Sequence, residues 1–246
     1  MNETGIRRSR SQLAEFPEGA IVFDPACVPQ AAARFSLFEP GLRRAGSGGR
    51  GAAWFVAGPC GPAVLRHYRR GGLVARLVED RYLYLGREHT RSFREFRLLQ
   101  DLRDRGLPVP APVAAAFRRS GAGYRADLIT ARIARAHSLS EFVDADLPPP
   151  GQWQQVGRTI ARFHRAGAWH ADLNAHNLLL DDSGAVWLVD FDRGRLRRPG
   201  GGWQMANLRR LQRSLLKLGA GRHGRQWALA WDALLDGWRG QLEAPA

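Results

Sequence analysis

Cysteines and long apolar runs are scarce in this chain of 246 residues. Its only cysteines, Cys27 and Cys60, form no Cys-x-x-Cys pair, so we expect two free thiols in a reducing cytoplasm. No cluster of His and Cys has zinc spacing, which argues against a zinc site. No apolar run approaches the ~20 residues of a membrane-spanning helix, and residues 1–10 lack the apolar segment of a signal peptide. The composition, 44% hydrophobic and 24% charged, indicates a globular chain with a sizeable core.

Acidic residues and lysine are also under-represented. The 37 basic residues outnumber the 23 acidic ones, which gives a net charge of +14, and only Lys217 is a lysine. This excess is typical of proteins with an anionic substrate, an anionic membrane surface or a nucleic acid as partner. A GC-rich genome also enriches arginine, so charge alone does not choose among them. The basic clusters are at residues 7–10, 66–70, 193–198 and 209–213.

The most informative stretch is residues 169–192. Asp172 and Asn177 lie five residues apart, and Asp190 follows Asn177 by thirteen. Two short apolar runs between Asn177 and Asp190 flank the turn-forming residues 181–184, which predicts a β-hairpin. Such a hairpin would return Asp190 to the side of Asn177.

These residue types suit phosphoryl transfer, which needs an oriented acceptor hydroxyl and cations that hold the phosphate charge. Asp172 is the candidate acceptor of the hydroxyl proton, and Asn177 and Asp190 offer the oxygen ligands that Mg²⁺ prefers. The stretch resembles the H-x-D-x-x-x-x-N loop and the D-F-G motif of protein-kinase-like enzymes, with Asp-Phe-Asp at 190–192. A capping aspartate and a loop asparagine are each common, but not jointly at this spacing. The resemblance implies ATP and Mg²⁺ as cofactors.

A glycine-rich segment, Gly46–Gly51, precedes an apolar run and is the candidate phosphate-covering turn. The backbone N–H groups of Gly48, Gly49 and Gly51 would contact the nucleotide there. Glycine-rich turns are often only turns, so this alternative stays open.

Two charged residues are candidates for a cation–carboxylate pair near the nucleotide. Arg66 stands where the related kinases carry a strand lysine, and arginine binds phosphate oxygens bidentately. Glu95 lies off the apolar stripe of a predicted helix and is the candidate partner of that cation. The alternatives are an exposed strand arginine and a surface glutamate paired with Arg91 or Arg94.

The fold class predicted is α+β, a two-lobed kinase-like fold with a β-rich N-lobe and a small helical C-lobe. We predict a flexible basic arm over residues 1–20, the N-lobe over 21–130 and the C-lobe over 131–246. Thr130, with Ala131 and Arg132, is the candidate hinge that contacts adenine. A short helix is predicted at Ala31–Leu42, ending near Pro40. Apolar periodicity predicts the longer helices, at Arg91–Leu102, Gln152–Ala166, Asn207–Leu218 and Gln226–Leu242.

Taken together, several motifs are similar to those of the 3-deoxy-D-manno-octulosonic acid (Kdo) kinase family. The motifs lie at residues 65–72, 80–82, 106–110, 124–128, 170–177 and 189–194. The resemblance implies ATP-dependent phosphorylation of the 4-hydroxyl of Kdo on a lipid A precursor, in lipopolysaccharide core synthesis. It also implies a peripheral enzyme on the cytoplasmic face of the inner membrane, with the anionic membrane surface as a partner.

Departures from protein kinases argue against a protein substrate. Ala171 replaces the arginine that reads a phosphorylated activation loop, Asn174 replaces a lysine, and the chain after Asp192 is short. A heptose or aminoglycoside kinase is the first alternative. The second is a nucleic-acid-binding protein with a vestigial kinase fold; the intact Asp172, Asn177 and Asp190 oppose it, and we expect no nucleic-acid partner.

Overall fold

The computed structural model describes residues 11–39, 43–44, 52–68 and 82–244, which fall into two compact units. The first unit ends at Asp104 and resumes with Pro110–Arg132, and the second comprises Arg105–Val109 and the chain from Ile133 onwards. The boundary that the sequence predicts, between residues 130 and 131, lies two residues from this division.

The first unit is built on an antiparallel sheet. Its described strands are β1 (Gln12–Phe16), β2 (Gly19–Phe23), β3 (Arg43–Arg44), β4 (Ala52–Gly58), β5 (Gly61–His67), β6 (Tyr82–Leu83), β7 (Pro112–Ser120) and β8 (Gly123–Ala131). They are ordered β1-β2-β7-β8-β5-β4-β3, and β6 pairs with β8. The chain is thus β-rich in its N-terminal unit and helical in its C-terminal part, which confirms the predicted α+β class.

The first hairpin corrects the predicted flexible arm over residues 12–20, because residues 12–16 and 19–23 are strands. Residues 1–10 of that arm lie outside the described residues. β1 pairs with β2 in antiparallel register, and β2 pairs with β7 on its other side. All five residues of β2 are buried, including Ile21 and Phe23 in the hydrophobic core. The exposed residues Glu15 and Glu18 make this segment polar, and its polarity alone does not predict a hairpin.

The helix predicted at Ala31–Leu42 is wrong over its described residues. Two short 3₁₀ helices, Gln30–Ala32 and Phe35–Phe38, stand there, with Arg34 between them in an extended conformation. Phe35 and Phe38 are buried in the core of the sheet unit. Their spacing of three residues suits a 3₁₀ turn, so anchoring of the two rings decides the local structure.

The prediction of two free thiols is also wrong, since Cys27 and Cys60 form a disulfide with their Cα atoms 5.1 Å apart. Cys60 lies in the turn between β4 and β5, and Cys27 lies in the turn that follows β2. The partners are 33 residues apart in sequence, and only the fold of the sheet brings the two turns together.

Helix α1 (Arg91–Asp104) packs against β7 and β8 and buries its predicted apolar face. Ser92 anchors its first turn by donating from Oγ to the Ala116 carbonyl over 2.8 Å. Gly106 follows the helix with a φ of +69°, a conformation that glycine adopts without strain. The buried apolar residues of α1 are Phe93, Phe96, Leu99 and Leu102.

The second unit combines helices with short strands. Its elements are β9 (Ala136–Ser138), α2 (Leu139–Ala145), α3 (Pro150–Arg165), β10 (Ala168–Trp169), β11 (Leu178–Asp181), β12 (Val186–Leu188), β13 (Arg195–Leu196), α4 (Trp203–Lys217) and α5 (Arg225–Glu243). Short 3₁₀ helices add Ala175–Asn177 and Ala220–His223, and another, Arg87–His89, precedes α1 in the first unit. The strands form the sheets β12-β11-β9 and β10-β13.

Two glycines allow α3 and α5 to pack closely. A Cβ atom on Gly157 would lie 1.9 Å from the Leu234 carbonyl oxygen, and one on Gly237 would lie 2.2 Å from that of Gln154. Side chains at either position would therefore push the helices apart. Among the residues that the structure describes, no helix is long and apolar enough to cross a membrane.

His164, near the end of α3, is a buried histidine in the core of the second unit. Its Nδ1 accepts a hydrogen bond from the Trp238 indole over 2.9 Å, and only 1% of the residue is exposed. Burial lowers the pKa of His164 to about 4, against an opposing contribution from the Asn207 side chain. The ring is therefore neutral at pH 7 and serves as an acceptor within the helical core.

Candidate active site

The loop after β10 is held by the buried ring of His170. Its Nδ1 accepts from the Asp172 backbone N–H over 3.2 Å, and its Nε2 lies 3.0 Å from the Val189 carbonyl. Because a carbonyl can only accept, Nε2 carries the proton and the ring is the neutral Nε2–H tautomer. Asn207 of α4 adds a bond to the His170 carbonyl at 2.8 Å. The loop therefore has its backbone fixed from the residue that follows β12 and from α4.

Asp172 presents its carboxylate to solvent while its backbone is fixed. The side chain is 61% exposed, and its Oδ1 lies 2.6 Å from Nη1 of Arg210 on α4. The Asp172 carbonyl accepts from the Asn177 amide nitrogen over 2.9 Å. An accessible carboxylate on a fixed loop is positioned to accept a proton from a substrate that enters from solvent.

Asn174, which replaces the usual lysine, has a structural role. Its Oδ1 caps the 3₁₀ helix Ala175–Asn177 by accepting from the backbone N–H groups of His176, at 2.9 Å, and Asn177, at 3.2 Å. The Ala175 N–H donates to Ser214 Oγ on α4 over 3.2 Å. These bonds set the direction in which Asn177 enters β11.

The hairpin of β11 and β12 forms as predicted and returns the chain to Asn177. Leu178 pairs with Leu188, and the Val189 N–H donates to the Asn177 carbonyl over 3.1 Å. In the turn, the Ser183 side chain and backbone donate hydrogen bonds to the Asp181 carboxyl and lower its pKa. The bond from the Ser183 hydroxyl is the largest cause. The predicted proximity of Asn177 and the Asp190 segment is thus a feature of the backbone.

Asp190 has a φ of +63°, a conformation that aspartate tolerates better than most residues. The next residue, Phe191, is buried and stacks on Phe163 of α3 with ring centroids 5.7 Å apart. Its edge also contacts the His170 ring, with centroids 4.7 Å apart. Phe191 therefore anchors the segment and fixes the position from which Asp190 leaves it.

The donor set of Asn177 and Asp190 fits Mg²⁺ in the presence of a nucleotide. The Asn177 amide nitrogen is used on Asp172, so the amide oxygen is the atom that can ligate a cation. One carboxylate and one amide oxygen, completed by phosphates and water, are typical of such magnesium sites. Among the described residues no group of three or more His, Cys, Asp and Glu side chains could hold a metal by itself. The magnesium assignment stays a prediction.

The first unit contains the predicted pair of Arg66 and Glu95. Arg66 Nη1 lies 2.7 Å from Glu95 Oε1, and the Glu95 side chain is only 1% exposed. The Tyr68 hydroxyl donates to Glu95 Oε2 over 2.5 Å, and the Arg66 guanidinium lies 5.5 Å from the Tyr68 ring centroid. Glu95 is thus a buried carboxylate that holds the Arg66 head group, rather than a surface helix residue. A contact between Arg66 and ATP stays a prediction.

Two other predicted nucleotide contacts have different outcomes. Gly48, Gly49 and Gly51 lie outside the described residues. Thr130 is buried near the end of β8, next to the division between the units. The N–H of Ala131 donates to Ala111 and that of Arg132 to Pro62, at 2.8 and 2.9 Å. Those two N–H donors are engaged within the first unit and so are not available to adenine. The hinge contact of Thr130 with adenine stays a prediction.

Sequence reasoning missed the basic face of α4. A cavity of about 430 Å³ lies beside Asp172, and one of its walls is α4. The sequence shows Arg209–Arg213 as a basic cluster, but only helical spacing separates its cavity-facing members from the rest. The lining residues are Asp172, Asn174, His176, Arg210, Arg213, Ser214, Lys217 and Leu218.

Comparisons with known proteins point to one family. The model of the Lipopolysaccharide kinase (Kdo/WaaP) family matches residues 42–233. A 3-deoxy-D-manno-octulosonic acid kinase of Xanthomonas oryzae pv. oryzae (strain PXO99A) is 50% identical over 87% of this chain and 91% of its own. Kinases of the same name are 53% identical in Xanthomonas axonopodis pv. citri (strain 306) and 50% in Stenotrophomonas maltophilia (strain K279a), each over 81% of both chains.

Proposed function

The chain belongs to the Lipopolysaccharide kinase (Kdo/WaaP) family and is a kinase, and on that premise we propose that it phosphorylates Kdo. The proposed reaction transfers the γ-phosphoryl group of ATP to the 4-hydroxyl of a Kdo residue on a lipid A precursor. The observation that carries the proposal is the exposed Asp172 carboxylate, whose loop is bonded to Asn177 and, through His170, to the backbone beside Asp190.

The proposed step is an in-line displacement at the γ-phosphorus. The acceptor hydroxyl oxygen forms the new P–O bond, the bond to the β,γ-bridging oxygen breaks, and ADP leaves. Asp172 accepts the hydroxyl proton as this bond forms. Its backbone bonds with His170 and Asn177 fix the point from which the carboxylate projects, so the order of the loop contributes to positioning.

Asn177 and Asp190 are the residues that would hold Mg²⁺. When bound, the ion would neutralise charge on the phosphates of ATP. In the first unit, we propose that Arg66 contacts an ATP phosphate, since Glu95 and Tyr68 hold its head group in a fixed orientation. Gly48, Gly49 and Gly51 would add backbone donors, and Thr130 would lie near adenine.

The proposed reaction is tested by incubating the purified protein with Mg-ATP and Kdo-lipid IV-A and analysing the lipid by mass spectrometry. We expect a mass increase of one phosphate, and fragmentation should place that phosphate on the 4-hydroxyl of Kdo. If an acceptor screen yields product only with heptosides or aminoglycosides, the proposal that Kdo is the substrate is wrong.

Asp172→Asn tests the proton acceptor, because it keeps the shape of the side chain and removes its basicity. We expect kcat to fall by about 10²–10⁴-fold with the fold unchanged. Asp236→Asn on α5 is the matched control, since Asp236 is 66% exposed and does not line the cavity beside Asp172. Turnover of Asp172→Asn near that of the control would remove Asp172 from the mechanism.

We further propose that the enzyme docks on the cytoplasmic face of the inner membrane without crossing it. An acceptor held in the bilayer by its acyl chains requires the enzyme to approach the surface. The net charge of +14 and exposed arginines such as Arg193, Arg195 and Arg198 support this, each near an anionic leaflet contributing about 1 kcal/mol.

Salt distinguishes electrostatic docking from apolar insertion, because the Debye length falls to roughly 3 Å at 1 M salt. We expect 1 M salt to release the protein from isolated inner membranes. Activity on acceptor embedded in vesicles should fall with ionic strength more steeply than ATP binding does. Protein that leaves the pellet only with detergent would show that apolar contacts hold it instead.

A further inference from the structure

Helix α4 separates its charges from its apolar residues. Arg210, Arg213 and Lys217 recur at spacings of three and four, so they share one face of the helix, and all three are exposed. The opposite face is buried in the second unit through Leu208, Leu211 and Leu215. The cationic face is therefore held in place by the packing of the helix behind it.

This face borders the cavity of about 430 Å³ that also contains Asp172. α4 is joined to the catalytic loop by the bonds from Asn207 to His170 and from Ala175 to Ser214, at 2.8 and 3.2 Å. The cations and the proposed proton acceptor thus belong to one fixed surface. A molecule in the cavity would contact both at once.

Arg210 links the cationic face to the chemistry. It donates from Nη1 to Asp172 over 2.6 Å, with about half of its side chain exposed to solvent. A guanidinium carries five N–H donors in a planar fork, so donors remain for a second anion. An ion pair this exposed is weak in water and exchanges readily for an incoming anion.

We propose that Arg210, Arg213 and Lys217 bind the carboxylate of the acceptor sugar and place the reacting hydroxyl against Asp172. The inference rests on the proposed function, because the substrate in the names of the relatives is a sugar acid. The carboxylate draws Arg210 towards the cavity, and Asp172 Oδ1 becomes able to accept the hydroxyl proton. The face selects sugar acids, since a neutral sugar offers no anion to Arg213 and Lys217 and leaves Arg210 on Asp172.

Single substitutions on the face provide the first test. Arg213→Ala and Lys217→Ala should raise KM for the Kdo acceptor and lower kcat/KM by about 10- to 100-fold, as expected for lost charge-assisted hydrogen bonds. KM for ATP and the melting temperature should stay unchanged. Arg209→Ala is the matched control, because Arg209 is an exposed arginine of the same helix that does not line the cavity.

The methyl ester of the acceptor carboxylate provides the second test. The parent enzyme should lose about 10- to 100-fold in kcat/KM on the ester, and Arg213→Ala should lose little more, since the partner of Arg213 is already absent. If the loss in kcat/KM from esterification and the loss from Arg213→Ala multiply, the proposal is overturned. The proposal is also overturned if Arg213→Ala loses its effect on kcat/KM when the lipid phosphates are removed but keeps it when the carboxylate is esterified. Arg213 would then bind a phosphate of the lipid and not the carboxylate.

Different results would contradict the Kdo kinase activity and the carboxylate site on α4. If the parent protein phosphorylates no Kdo acceptor, the proposed function fails. If it phosphorylates Kdo but Arg213→Ala and Lys217→Ala both behave like Arg209→Ala, the function stands and the carboxylate site is wrong.

Discussion

The pair of Arg66 and Glu95 gives the sharpest test of the N-terminal unit. Replacing Arg66 by alanine leaves Glu95 as a buried carboxylate that still accepts from the Tyr68 hydroxyl. Replacing Glu95 by glutamine keeps the shape and an acceptor for Tyr68 but removes the charge that holds Arg66. The two changes thus disrupt one contact from opposite sides.

The magnitude follows from the burial of the two partners. Two unit charges about 4 Å apart attract by about 4 kcal/mol at an effective dielectric constant of about 20. Desolvation of Glu95, whose side chain is 1% exposed, offsets part of this attraction, and the 22% exposure of Arg66 weakens it further. We therefore expect a coupling free energy of about 1–3 kcal/mol, within the range for contacting residues.

A double-mutant cycle measures this coupling in two quantities. Urea unfolding of the parent, Arg66→Ala, Glu95→Gln and the double variant gives the coupling in the free energy of unfolding. The same proteins assayed for kcat/KM with ATP as the varied substrate give the coupling in catalysis. Arg66→Lys tests the charge alone. It should retain most of the free energy of unfolding, because lysine keeps the cation, although it loses the planar donor group of arginine.

Additive effects on the free energy of unfolding would refute the buried ion pair. Coupling in stability with additive effects on kcat/KM would show that the pair is structural and that another basic residue contacts the phosphates. Arg97→Ala is a suitable control, since Arg97 is an exposed arginine of α1 that pairs with Glu88 instead.

Three further predictions concern pH, the disulfide and the cation site. The pKa of His164 is about 4 against an ordinary 6.5, so the unfolded state takes up the proton first as pH falls. The contribution of His164 to the free energy of unfolding should be full above pH 6.5 and should drop by about 3 kcal/mol by pH 4. In urea unfolding measured as a function of pH, His164→Gln should lack this pH-dependent drop. Reduction of the Cys27–Cys60 disulfide, which closes a loop of 33 residues, should lower the free energy of unfolding by up to about 3–4 kcal/mol, whereas the double alanine variant should not respond to reductant. Asp190→Asn, which tolerates the φ of +63°, should weaken ATP binding in calorimetry with Mg²⁺ but not without it, and equal losses in both conditions would contradict a role in cation binding.

Much of the local structure followed from the sequence because it depends on contacts close in the chain. The spacing of apolar residues placed α1, α3, α4 and α5 within a few residues of their observed bounds. The turn residues 181–184 placed the hairpin that returns Asp190 to Asn177. Glu95 could be assigned because it departs from an otherwise regular apolar stripe, which leaves a charged residue that needs a partner.

Tertiary structure decided what depends on residues distant in sequence. Cys27 and Cys60 meet only because the sheet brings two turns together. Residues 12–16 and 19–23 form a strand pair because β7 provides an edge for β2. The role of the basic cluster on α4 depends on its position beside Asp172, which the hydrogen bonds of Asn207 and Ser214 determine. Spacing along the chain specifies which face of an element a side chain occupies, but packing between elements determines what that face meets.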